Sequence, residues 1–127
     1  MSADGCGLPD LLCRWTSLER VALEWDVTAW GHPVRTATGI AAAGAGDWSR
    51  SEERHRAAIA CMDSCGYKLG AAIARIRYAD MLLLRRTRGN EAAARELLED
   101  ARVRSDAMGL LLYERIASKT LAELGNR

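Results

Sequence analysis

The chain has 127 residues, 49% of them hydrophobic and 28% charged, with two prolines and no phenylalanine. That length suits one domain with a modest core, and the composition excludes a disordered or proline-rich chain. A net charge of +1 excludes the strong basic field of a chain built to hold nucleic acid or an anionic membrane.

Residues 1–15 contain glycines and Pro9 and read as an irregular lead-in. Asp4, Gly5 and Pro9 break up the start, so no secretory signal is expected. No run approaches the ~20 apolar residues of a membrane span. The four cysteines, Cys6, Cys13, Cys61 and Cys65, are therefore expected as reduced thiols in a cytoplasmic protein. Ala, Leu, Arg and Glu dominate, which favours helix over sheet.

A capping helix is predicted over 16–31. Thr16 to Glu19 has capping-box spacing, and Leu18, Val21, Ala22, Trp25 and Ala29 form one stripe. Gly31-His32-Pro33 ends it, because proline lacks the amide hydrogen and restricts the residue before it. The small-residue run 34–45 reads as a second helix. Asp47 caps a third, on which Trp48, Ser51, His55, Ala58, Ile59, Met62 and Cys65 follow a helical period up to Gly66. The run from 68 to about 87 is apolar on two faces, and such a helix must lie between neighbours. Gly89-Asn90 turns the chain into a fifth helix with Ala94, Leu97, Leu98, Ala101, Ser105 and Met108 on its stripe. A sixth runs from about 111 and carries Leu112, Ile116, Ala117, Thr120, Leu121 and Leu124.

These punctuation marks recur. Gly66 and Gly109 lie 43 residues apart, as do Asp47 and Asn90. At that shift Ala58 meets Ala101, Asp63 meets Asp106, and Ile73-Ala74 meets Ile116-Ala117. Residues 16–127 are thus read as one domain of helix pairs repeating every 43 residues.

The pattern resembles tetratricopeptide-type repeats, whose second helix follows a Gly-Asn/Asp turn and carries Ala, a bulky residue and Ala at fixed steps. Gly89-Asn90 followed by Ala94, Leu98 and Ala101 matches those steps; Gly46-Asp47 followed by Ser51, His55 and Ala58 matches its final Ala. Gly39 and Gly125 stand where the family's first-helix glycine would sit, Leu82 departs from it, and the repeat exceeds the usual ~34 residues. The phrasing of Ile76–Arg85 and Ala94–Arg102 is similar to the helical arms of large bacterial LuxR- or MalT-type ATPase transcriptional activators. The likeness implies an all-α, antiparallel helix-hairpin solenoid of about six helices. It also implies a freestanding piece of a regulator's sensor arm, since no nucleotide-binding module or helix-turn-helix is visible.

Catalytic and cofactor signals are weak. Gly39 to Gly44 has the glycine spacing of a phosphate loop, but Ala45 and Gly46 stand where the phosphate-binding Lys and the Ser/Thr belong. Close helix packing explains these glycines better. Cys61 and Cys65 share a helix face and are the candidates for a thiol-based metal or redox switch, the alternative function. His55 takes a bulky core position, and no nucleophile can be paired with it or with His32 from spacing. The clustered arginines near 85–88 suit a helix C-terminus, so nucleic-acid binding by this chain alone is not expected.

The leading expectation is a non-catalytic scaffold for protein–protein interaction, without cofactor. First-of-pair helices would offer Arg75, Arg77 and Tyr78 to a partner, with Trp30 as a further contact. Leu112, Leu121 and Leu124 of the last helix would lie open and pair with a partner or a second copy.

Overall fold

A computed structural model describes Thr28–Ala29, His32–Pro33 and residues 34–126. The described residues are all-helical, apart from a two-residue antiparallel bridge between β1 (Thr28–Ala29) and β2 (His32–Pro33). Five helices follow among the described residues: α1 (Val34–Gly44), α2 (Trp48–Ser64), α3 (Lys68–Arg85), α4 (Asn90–Ala107) and α5 (Leu111–Gly125). The bridge corrects the end of the predicted 16–31 helix. Thr28 and Ala29 are extended and pair with Pro33 and His32, so a helix cannot run through them. The rest of that prediction, residues 16–27, lies outside the described residues, as do Trp30, Cys6 and Cys13.

Turns of three or four residues join the helices, and each helix packs on the next; α1 also touches α3, and α3 touches α5. Three helices close in the same way. Gly46, Gly66 and Gly109 take left-handed φ values of 80°, 71° and 71°. The residue after each donates its N–H back across the last turn: Asp47 to Ala42 O, Tyr67 to Met62 O and Leu110 to Ser105 O. This satisfies carbonyls that the helix leaves without partners, and glycine adopts the reversal without a Cβ clash.

The turn between α3 and α4 differs. Arg86, not a glycine, is left-handed at φ 52°, and Gly89 is left-handed again at 87°. Asn90 is the first residue of α4 and donates through Nδ2 to Leu82 O at 3.1 Å, tying α4 to the end of α3. At α2 the expected cap is present: Asp47 Oδ1 accepts from the Arg50 N–H at 3.2 Å.

The interior of α2 is lined by Ser51, His55, Ala58 and Met62, and that of α4 by Ala94, Leu98, Ala101 and Ser105. Each of the second four stands 43 residues after one of the first. Between these helices α3 is buried almost all round, from Gly70 to Ile76 and again at Tyr78, Ala79, Met81 and Leu82. The core runs from Ala43 through Ile76, Met81 and Leu82 to Leu98, Ala117 and Leu124. No helix among the described residues is long and apolar enough to cross a membrane.

Candidate protein-interaction surface

Two of the arginine and tyrosine side chains expected at the surface are interior. Arg75 is 6% exposed, because α2 and α4 close over it with one carboxylate each. Its Nη2 and Nη1 donate to Asp63 at 2.7 and 3.0 Å, its Nε donates to Asp100 at 2.7 Å, and Nη1 also reaches Ala71 O. Burial works against the charge, but the bonds and charges of the two aspartates outweigh it and raise the Arg75 pKa. The same bond from Arg75 holds the Asp63 carboxyl below its ordinary range, against a smaller opposing effect of burial. Arg75 therefore clasps three helices together instead of standing open on the surface.

Tyr78 is buried as well. Its ring stacks on His55, with centroids 5.7 Å apart and planes 8° from parallel. Its hydroxyl donates to Glu52 at 3.1 Å and accepts from Arg56 Nε at 3.1 Å. Burial raises the pKa of this phenol.

Arg77 stands where it was expected, exposed on α3 and 3.4 Å from Asp80. Burial pushes the Asp80 carboxyl up, against the pull of Arg77. This pair borders a groove of about 220 Å³ between α1 and α3, whose other walls are Ile40, Ala43, Met81 and Leu84. Ile40 is 49% exposed and Leu84 is 63% exposed, so apolar surface stands open on both helices. Ile40, Met81 and Leu84 were not picked out as contacts from the sequence. The signal was the spacing of Arg77, Asp80, Met81 and Leu84 along α3, but only the approach of α1 shows that Ile40 joins them.

The last helix divides. Leu112 is 64% exposed, and Leu111, which the sequence reading passed over, is equally open. Leu121 is partly buried against the core and Leu124 is fully inside it, which corrects the expectation that both lie free. The C-terminal half of α5 reaches the core, and its first turn does not.

A second cleft, about 530 Å³, opens at the α3–α4 turn and is lined by Leu82, Leu83 and residues 86–91. Arg86 and Arg88 border it together with Glu91, so its charge is mixed. On α2, Cys61 is partly buried and Cys65 is exposed; neither is in a disulfide. No group of three or more His, Cys, Asp or Glu residues among the described residues is arranged to hold a metal ion. Of the loop-like glycines, Gly39 lies against the His55 ring as close packing requires, whereas Gly44 faces open space.

Comparison with protein-family models, curated proteins and solved structures returns no match to this chain.

Proposed function

We propose that the chain is a non-catalytic, cytoplasmic helical-repeat scaffold that binds a partner protein, with an amphipathic helix of that partner seated between α1 and α3. The groove carries this reading. Its floor is apolar, flexible Met81 lies in it, and Arg77 and Asp80 at the rim supply one charge of each sign to set a helix's register. Such a helix would present apolar residues at three- and four-residue spacing to Ile40, Ala43 and Leu84.

The architecture proposed with it is a tetratricopeptide-like solenoid, similar to the sensor arms of LuxR- and MalT-type activators. In support, the buried positions of α2 and α4 coincide at a shift of 43 residues, and so do the left-handed glycines Gly46 and Gly89, and Gly66 and Gly109. The open Leu111 and Leu112 make α5 the second contact, through which two copies associate.

Panning a displayed library of amphipathic helices against the purified chain tests the groove. Selected helices should lose at least tenfold in affinity when Ile40→Glu or Leu84→Glu places a charge there. Binders indifferent to both substitutions would refute the groove. Light scattering after size exclusion tests α5: a concentration-dependent dimer abolished by Leu112→Glu is expected, and a monomer at high concentration contradicts it.

A further inference from the structure

His55 is fully buried in the middle of α2, and neither of its ring nitrogens has a hydrogen-bond partner. Buried polar groups are almost always bonded, and one left bare is costly. Tyr78 of α3 stacks on one face of the ring. The backbone of α1 also comes up to the ring: a Cβ on Gly39 would stand 3.0 Å from His55 Cδ2 and 3.1 Å from Nε2. The imidazole is thus the piece on which three helices meet.

The charged neighbours offer a proton little welcome. Glu52, one turn before His55, already binds Arg56 at 2.7 Å, accepts from the Tyr78 hydroxyl and lies 3.8 Å from Arg85. Arg54 and Arg56 are its neighbours along α2; Arg54 Cβ packs beside Gly39, and Arg56 is bound to Glu52 and the Tyr78 hydroxyl. Arg35 is the charged residue of α1, one turn before Gly39. Tyr78 is the titratable group that faces the ring from α3. β2, packed on α1, α2 and α3, contributes His32 to the sequence of this region.

From residue 35 on, the buried residues of α1 are Thr36, Thr38, Gly39, Ala42 and Ala43, none with a large apolar side chain, and Ser51 Oγ donates to Gly39 O at 2.7 Å. The α3–α4–α5 layer holds Ile76, Leu82 and Leu98 instead. Leu98 occupies the position 43 residues after His55 and cannot take a proton.

We propose that His55 is an acid-sensitive latch: protonating its ring releases α1 from α2 and α3 while α3, α4 and α5 stay packed. Among the described residues a cation formed between Gly39 and Tyr78 has no free acceptor and must reach water, and moving α1 uncovers only the small side chains that it buries there. Burial lowers the His55 pKa from 6.5 to about 4, in keeping with this geometry. The sign follows from that lowering. The neutral ring's contribution is complete above pH 6.5 and is lost as pH falls from 6.5 towards 4. Release would dismantle the groove at Ile40 and Ala43. That consequence rests on the scaffold reading, whereas the release itself does not.

Hydrogen exchange of the full chain, followed by mass spectrometry and corrected for the intrinsic rate, tests it without any partner. Between pH 7 and pH 4.5 the opening equilibrium of residues 34–44 should rise roughly 60-fold while residues 94–105 keep their protection. His55→Leu, which copies the residue at 98, and His55→Gln should each remove this rise; His32→Gln should leave it. Using both His55 variants guards against one of them failing to fold. A uniform loss of protection from 34 to 125 would overturn the latch, as would a rise that persists in either folded His55 variant or disappears in His32→Gln.

Discussion

Replacing Arg75 by methionine keeps most of the stem and removes a guanidinium that joins α2, α3 and α4. The bonds lost are two to Asp63, at 2.7 and 3.0 Å, one to Asp100 at 2.7 Å, and one to the Ala71 carbonyl within α3 at 3.0 Å. A hydrogen bond to a charged group contributes about 1.5–3 kcal/mol. Asp63 and Asp100 are 41% and 45% exposed, so they rehydrate once Arg75 is gone and the loss falls well short of the sum. The net expectation is about 2–3 kcal/mol, part of it from two carboxylates left facing each other with Arg104 as the remaining cation on Asp100. In urea this lowers the unfolding midpoint by about 1 M for a small domain. Asp63→Asn and Asp100→Asn each leave Arg75 one carboxylate and should cost about 1 kcal/mol. The Asp63 carboxyl is held low by Arg75, so its contribution is present above the ordinary carboxylate range and fades as pH drops below about 4. Arg75→Met should flatten that acid limb. A variant within about 0.5 kcal/mol of the parent, with the acid limb unchanged, would show that the clasp holds nothing.

The remaining substitutions probe the backbone. Gly44→Ala meets nothing within 4 Å and should stabilise by about 0.5 kcal/mol in thermal or urea unfolding. Gly39→Ala drives a Cβ to 3.0 Å from the enclosed His55 ring and should destabilise by about 1–2 kcal/mol. Arg86→Gly relieves a left-handed φ of 52° and should raise stability by about 0.5–1 kcal/mol in the same assay.

The helices themselves were readable because their ends are. Gly46, Gly66 and Gly109 mark reversals that the chain does make, and the stripe through Ser51, His55, Ala58 and Met62 faces inward as its period requires. The site was less legible, for a physical reason. Arg75 and Tyr78 sit on a helix so apolar that a polar side chain on it reads as surface. Their partners, Asp63, Asp100, Glu52 and Arg56, lie 12 to 26 residues away on other helices, beyond any i,i+4 rule. Leu124 was misread in the opposite sense. Its stripe was found, but which end of α5 meets the core depends on how α5 leans on α4. The extended Thr28–Ala29 pair was hidden by a stripe that continues smoothly through Ala29.

The central claim is that successive helix pairs are interchangeable copies, each packing on the one before. It is tested most directly by inserting a second copy of residues 47–89 between Gly89 and Asn90 and measuring circular dichroism through urea unfolding. In an array of that kind each added unit contributes its own stability and one more interface. The account predicts two further helices' worth of ellipticity and a single transition at a higher midpoint than the parent. An insert that adds no helix, or that melts in a separate step below the parent, would contradict it.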